Sequence, residues 1–565
     1  MPLNASMDHL MFFQQYFYIF ITSLFTALLM VPFLRKWALA IDVVDNPGDR
    51  KVHSQKIPRL GGVAIFMAFL FSMLVFTEMT QQLRGMLAGG LIVFCTGLVD
   101  DLYGLSPRRK FVGEIAACLM AVVIGNLTIT RLGDLFGSGE IFLPGWFAIP
   151  FTVFAAVGVI NALNLIDGLD GLSGGVASIA LSAFFILAWQ DGNAVAMAIC
   201  AGLFGALLGF LKYNVYPAKI FMGDAGSLSL GFVLAFLAIH ISQGEGSTVS
   251  PIAPLLILGL PIIDTLLVMS RRVLARTSPF APDKTHVHHK FLAIGFQHRF
   301  TVIVIYGVSL FWALVAVLFN GVIEWALLSL YVALTLGFYY GLHLLRLNRD
   351  RFDLLRKDSA ASIRETVTYQ WVARTAERLV PLLLLLVISY LALAVVFTNH
   401  VEDGMWQMAG LLLLVGVTLL YQTRDISNHF LLGLLYVDIL VIEFTLEGTS
   451  HQALFEGLTL GRLSELLFLS VLALVLLLGV FRRGNRFFLA SFDYLLLAVT
   501  ILLLVVFATN EGLHYLSQPF ISAVILFIGI KVVTFFGQRY TLWIVYPVMG
   551  VLTVITLRGA WGWLV

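Results

Sequence analysis

Charge is what this chain has least of. Asp, Glu, Lys and Arg make up 12% of its 565 residues, about half the share usual in a soluble domain. With 59% hydrophobic residues and a mean hydropathy of +0.93, it cannot cover itself with a solvated surface. Cysteine is also scarce. Cys95, Cys118 and Cys200 each fall inside an apolar run, which argues against a disulfide framework or a zinc cluster. Alternating apolar and polar segments are missing, which excludes a membrane β-barrel. The first apolar run, near Met11, has no small-residue cleavage site behind it and reads as a retained span. The net charge of +2 gives no footprint for nucleic acid, and none is expected as a partner.

The apolar runs themselves are long. They lie near 11–34, 60–77, 84–100, 110–128, 149–165, 173–190, 194–211, 226–243, 251–270, 301–319 and 322–346, with seven more to the C-terminus. Each approaches the roughly 20 residues that carry a helix across a bilayer. The expected fold is therefore all-α, a polytopic helical membrane protein of about eighteen transmembrane helices set in a lipid bilayer. Lys and Arg gather in alternate connections, among them DNPGDRKVHSQKIPR, DDLYGLSPRRK and RRVLARTSPFAPDKTHVHHK, whereas TEMTQQLRG and SQGEGSTVS hold few cations. By the positive-inside rule the basic connections face the cytoplasm and the N-terminus faces outward.

Ionised carboxylates close to hydrocarbon are costly and mark function. Asp100 and Asp101 stand side by side at the end of the third run. The stretch NALNLIDGLDGLSGG, at the end of the fifth, spaces Asn164, Asp167 and Asp170 by three, one polar stripe if the segment is helical. In YNVYPAKIFMGDAGSLSLG, Asp224 lies between Gly223 and Gly226, where its plainest role is an N-cap of the eighth helix. Taken with the other four aspartates on the same face, the better reading is an oxygen-ligand Mg²⁺ site, which needs only one or two carboxylates plus water and phosphate. After the ninth run, His286, His288 and His289 sit among Arg271, Arg272, Arg276, Lys284 and Lys290. Cationic neighbours disfavour a metal and favour a phosphate. Topology and lipid headgroups account for Arg271 and Arg272, but not for three clustered histidines. The first basic loop, with Arg50, Lys51, His53, Lys56 and Arg59, is assigned mostly to topology, with Arg50 and His53 as substrate-contact candidates. A transporter would hold its ionisable groups near the midplane. Here they gather at one surface, as a water-soluble partner requires, and a transporter or flippase for a lipid-linked or nucleotide sugar is the rival reading.

Five motifs run in order along these loops: D-x-P-x-x-R-K-x-H…P-R-x-G-G, D-D-x-x-G, N-x-x-N-x-x-D-G-x-D-G-L, F-M-G-D-x-G-S and H-x-H-H. Over residues 15 to 346 the chain resembles the polyprenyl-phosphate N-acetylhexosamine-1-phosphate transferases, which include the phospho-MurNAc-pentapeptide transferase of peptidoglycan synthesis. The resemblance implies transfer of a sugar 1-phosphate from a UDP-N-acetyl sugar to undecaprenyl phosphate, with Mg²⁺ as cofactor and Mn²⁺ as its substitute. It implies a bacterial inner membrane, a cytoplasmic active site, and a homodimer as an allowed assembly. By the same resemblance Asp224 is the Mg²⁺ ligand, and Asp100 and Asp101 are catalytic, one orienting or deprotonating the lipid phosphate. Asn164, Asp167 and Asp170 line the cleft, Asn214 with Phe221 holds the uracil, His286, His288 and His289 meet the diphosphate, and Lys110 meets the phosphates. Two features refine the likeness. Gly104 replaces a third carboxylate after the acidic pair, and H-V-H-H favours the N-acetylglucosamine branch over the pentapeptide branch.

The expected organisation is an eleven-helix transferase domain over 1–346, a charged cytoplasmic linker over 347–377, and a membrane domain of about seven helices over 378–565 that carries no catalytic motif. Asp438, Glu443, Glu465, Asp493 and Lys531 lie in or near its apolar runs, with a carboxylate pairing to Lys531 as one reading and snorkelling as the other.

Overall fold

The computed structural model of the protein describes residues 2–45, 56–244, 246–276, 286–347, 367–398, 401, 404–422, 429–447, 453–455, 458–480, 490–509, 517–536 and 540–564. Two compact units divide the chain: Gln15–Asp353, and Leu354–Val565 together with Met1–Gln14. Helices stand at each expected run. Thirteen of those described are long and apolar enough to cross a membrane, and Gly61–Phe76 and Met405–Tyr421 are shorter apolar helices.

The first unit contains most of α1 (Pro2–Ala40), then α2 (Gly61–Phe76), α3 (Gln81–Tyr103), α4 (Pro107–Gly125), α5 (Gly145–Ile166), α6 (Leu172–Gln190) and α7 (Ala194–Asn214). It continues with α8 (Gly223–Gln243), α9 (Ile252–Ile257), α10 (Gly259–Leu274), α11 (Val287–Ile294), α12 (His298–Leu318) and α13 (Glu324–Leu347). Its centre is α8. A helix apolar all round belongs inside a bundle, and 94% of the α8 span is buried, against α2, α3, α5, α6 and α7. Two short antiparallel ribbons tie loops together: β1 (Val44–Asp45) with β2 (Ile57–Pro58), and β3 (Arg131–Gly133) with β4 (Ile141–Phe142).

The single helix expected over 251–270 is two. Leu258, at φ −91° and ψ 10°, separates α9 from α10. Pro261 has no N–H to offer the Ile257 carbonyl four residues back, and the Gly259 carbonyl accepts the Tyr331 hydroxyl at 2.7 Å. Beyond the break, α10 packs on α5.

The second unit holds helices Val367–Glu377, Val380–Phe397, His429–Glu447, Leu460–Val480, Ser491–Thr509, Ser517–Phe536 and Leu542–Leu564, with Met405–Gln422 between the second and third. Inside it Lys531 Nζ lies 2.6 Å from Asp493 Oδ1, and both side chains are buried. Of the expected linker, 348–366 lies outside the described residues and Val367–Glu377 is helical.

Candidate active site

The site begins with how α8 is seated. Glycines let α2 and α3 come against its first turn. A Cβ on Gly62 would stand 2.1 Å from the Gly226 nitrogen, and one on Gly97 2.5 Å from the Asp224 carbonyl oxygen. At that separation the Asp101 carboxylate reaches the exposed helix end. The N–H groups of Asp224 and Ala225 donate to its two oxygens, each at 2.9 Å. Asp224 is therefore not the N-cap that its position suggested. It occupies the first turn of α8, and Asp101 supplies the capping carboxylate from α3.

Freed from capping, the Asp224 side chain turns to Lys110. The ammonium of Lys110, on the first turn of α4, lies 2.9 Å from Asp224 Oδ2 and 3.2 Å from Asp100 Oδ2. Asp100 is further held by the Leu105 N–H, which donates to its Oδ1 at 2.5 Å. The Asn164 amide, oriented to satisfy both its ends, donates to Asp224 Oδ1 at 3.2 Å and accepts from Lys110 Nζ at 3.0 Å. Two carboxylates and one ammonium leave a formal charge of −1 among hard oxygen donors. Asp224 is the most open of the three, with 30% of its side chain exposed.

The expected stripe of Asn164, Asp167 and Asp170 does not form, because α5 ends at Ile166 and Asp167 is its C-cap. Asp167 accepts the Ser173 hydroxyl at 2.5 Å. Burial pushes its carboxyl up to about 6; the Ser173 bond opposes this, and the charges of Asp224 and Asp170 add to it. Asp170 turns away and accepts from the Ala218 N–H at 2.9 Å. Asn214 joins the same two loops, accepting from the Gly171 N–H at 3.0 Å and donating to the Ile220 carbonyl at 2.9 Å. Phe221 bonds through its backbone, donating to the Pro58 carbonyl at 2.7 Å and accepting from the Gly61 N–H at 3.0 Å. Asp170, Asn214 and the Phe221 backbone thus brace the loop ahead of Asp224.

The histidines arrive on α11. His286 is its N-cap residue, and its Nδ1 lies 2.8 Å from Oδ2 of Asp264, a buried residue of α10. His288 is buried, with Nδ1 lacking a hydrogen-bond partner among the described residues. Its Nε2 lies 2.3 Å from where a Cβ on Gly168 would stand, so only glycine leaves room for the ring. Burial, with His289 beside it, pushes the His288 imidazole down to about 3, so the ring is neutral at physiological pH. The His288 and His289 rings are 4.3 Å apart. Arg50, His53 and Lys284 lie outside the described residues.

Asp100, Lys110, Asn164, His286, His288 and His289 meet at one end of a cavity of about 1880 Å³. Its remaining wall is mostly apolar, from α4, α5, α8, α9 and α10, with Phe111, Leu119, Phe154, Ile239, Leu255 and Met269 among its members. Three more polar residues, unforeseen as site residues, belong here. Glu114 lines the cavity one turn beyond Lys110 and accepts from the Asn161 amide at 2.6 Å. Arg272 is buried on the wall, and Asp264 stands behind His286. Glu114 and Asp264 carried a signal, since each is a lone acid within an apolar run. Among the described residues no three His, Cys, Asp or Glu side chains converge to hold an ion by themselves. Mg²⁺ does not require that when substrate phosphates complete its shell.

Residues 83–242 match the model of glycosyl transferase family 4. Over 316 residues the chain is 38% identical to a probable undecaprenyl-phosphate N-acetylglucosaminyl 1-phosphate transferase of Bacillus subtilis, covering 55% of this chain and 87% of that protein. It is 33% identical over 326 residues to the undecaprenyl-phosphate alpha-N-acetylglucosaminyl 1-phosphate transferase of Escherichia coli K12, covering 56% and 88%. The corresponding transferase of Yersinia pestis is 33% identical over 332 residues, covering 57% and 89%. The chain spans most of each relative and carries the family's match across α3 to α8, and it therefore belongs to glycosyl transferase family 4, among the relatives of these sugar-1-phosphate transferases.

Proposed function

We propose that the protein transfers an N-acetylhexosamine 1-phosphate from a UDP-sugar to undecaprenyl phosphate, releasing UMP. One observation carries this reading. Asp100 and Lys110, which holds Asp224 behind them, line a mostly apolar cavity, so a phosphate head and a hydrocarbon tail are accommodated by one continuous space. The lipid acceptor and the chemistry accord with what the similar proteins are named for.

A phosphate oxygen of the lipid attacks the β-phosphorus of the UDP-sugar. The bond from that phosphorus to the oxygen bridging to the α-phosphate breaks, and UMP leaves with the electron pair. The product is a polyprenyl diphosphate sugar. Both partners are anions, so charge neutralisation is the first requirement. Lys110 supplies a cation between the two carboxylates. Asp100, on the cavity wall, is placed to orient the acceptor phosphate or take its proton. The histidines and Arg272, also on the cavity wall, receive the diphosphate. Asp224, with Asp100 and the Asn164 amide beside it, would hold a Mg²⁺ ion, which supplies charge neutralisation at the phosphates when bound.

In this reading the face lies in the cytoplasm of a bacterial inner membrane, where nucleotide sugars are made, and the basic connections support that orientation. The H-V-H-H sequence favours UDP-N-acetylglucosamine as donor. Purified protein with undecaprenyl phosphate, Mg²⁺ and a panel of UDP-sugars tests the reading. UMP release dependent on the lipid is expected. Lipid-linked or nucleotide sugar moved across a vesicle without UMP release would overturn it.

A further inference from the structure

Asp264 lies outside the cavity wall, 2% exposed, yet its carboxylate organises three elements. Oδ2 faces His286 Nδ1 at 2.8 Å. Oδ1 accepts from the Val287 N–H at 3.0 Å and from the Tyr339 hydroxyl at 2.8 Å. A carboxylate can only accept, so the His286 ring carries its proton on Nδ1 and leaves Nε2 as its free nitrogen. His286 is itself a wall residue of the cavity, alongside His288 and His289.

We propose that Asp264 is a positioning residue for phosphoryl transfer, fixing His286 in the orientation and tautomer that leave Nε2 as an acceptor on the cavity side, free to take a hydrogen bond or proton from a protonated phosphate oxygen of the substrates. The proposal rests on the functional reading above. An imidazole held from behind by a carboxylate has one ring orientation and one protonation pattern, the arrangement by which outer partners tune a working histidine. Tyr339, on α13, holds Asp264 in turn. The bland alternative is that Asp264 merely caps α11 through Val287.

Asp264→Asn separates the two. The amide oxygen still accepts from Val287, so the cap survives, but the amide nitrogen facing His286 can only donate and forces the proton to Nε2. The full-length protein is assayed for UMP release with UDP-N-acetylglucosamine and undecaprenyl phosphate. In parallel, ¹⁵N-histidine spectra are recorded, with His286 assigned by its loss in His286→Gln. The expected result is a kcat lower by about 10- to 100-fold, the range for outer partners of working histidines, with KM for the UDP-sugar little changed. The His286 signature should move from Nδ1–H to Nε2–H. Asp264→Asn combined with His286→Gln should be no slower than His286→Gln alone, because residues acting through one another are not additive. Asp264→Glu, which keeps the charge, should recover part of kcat.

A changed tautomer with wild-type kcat overturns the proposal, and so does a double variant whose losses multiply. Should Asp264→Asn fail to fold, the wild-type spectrum still decides, since His286 protonated at Nε2 contradicts the assignment. A wild-type chain that releases no UMP would instead overturn the functional reading, while its spectrum still shows whether Asp264 sets the His286 tautomer.

Discussion

Asp101 caps the helix that presents Asp224: both its carboxylate oxygens accept 2.9 Å hydrogen bonds, from the N–H groups of Asp224 and Ala225. Its neighbour Asp100 faces the other way, onto Lys110 and the cavity. Successive residues on a helix point about 100° apart, so one acidic pair serves two tasks.

The two tasks separate by mutation. Asp224→Asn removes a charge from an open position and should abolish UMP release while the melting temperature stays close to wild type. Asp101→Ala removes a cap, which costs about 0.5–2 kcal/mol, and should lower both stability and rate, with Asp101→Asn recovering part of each because it keeps an acceptor. Thermal unfolding in detergent beside the UMP assay checks this. Asp101→Ala with wild-type stability and no activity would mean that Asp101 acts on substrate directly.

Asp167 gives a pH-dependent signature. Its carboxyl is raised by burial to about 6 in the folded protein, against 3.8 as the ordinary value. Between those values the folded state holds a proton that the unfolded state has released, so this group's contribution to stability falls as pH rises from about 4 to about 6. Asp167→Asn is neutral throughout and lacks that slope. In the absence of divalent cations the variant should gain melting temperature over wild type at pH 7, and the gain should shrink by pH 5. A difference between the two proteins that does not vary with pH would refute the assignment.

In the second unit, Asp493 and Lys531 form a buried ion pair at 2.6 Å, which answers the sequence question of whether a carboxylate pairs with Lys531. Removing one partner strands a charge, and such losses run to about 3–5 kcal/mol, whereas replacing both by apolar residues is often neutral. Lys531→Met alone should therefore destabilise the protein strongly. Lys531→Met with Asp493→Leu should restore most of the loss in thermal unfolding. Failure of the double variant to recover would show that the pair does more than satisfy itself.

Much of this architecture was legible because lipid simplifies the code. An apolar run of about 20 residues has few alternatives to a helix, and the polar residues that interrupt such runs stand out. The convergence of Asp100, Lys110, Asn164 and Asp224 from four helices was readable only as residue types in loops. Their contacts depend on close approaches at Gly62 and Gly97, which one chain's pattern does not announce. The break at Leu258 was hidden inside a run whose hydropathy continues across it. The family resemblance put Asp170 in the cleft and Asn214 at the uracil, and the sequence did not show that both also bond the backbone of neighbouring loops. Asp264 went unnoticed because its partner, His286, is 22 residues away across a loop.

Every residue of the cluster and every wall of the cavity belongs to the unit Gln15–Asp353. A chain stopped after Asp353 keeps α2 to α13 whole, with the Asp101 cap, the Lys110 bridge and the Asp264–His286 contact. Membrane helices satisfy their own backbone hydrogen bonds, so the loss of neighbouring spans leaves each remaining helix intact. The truncated protein should insert, purify in detergent and release UMP in a reaction dependent on undecaprenyl phosphate, at a rate within about tenfold of the full chain, a shift of about 1.4 kcal/mol or less in the barrier. Donor binding is measured alongside turnover, by calorimetry with the UDP-sugar. A truncated protein that folds and binds the donor but releases no UMP would place part of the catalytic apparatus in Leu354–Val565. The charged cluster at the cavity would then be necessary for the reaction without being sufficient.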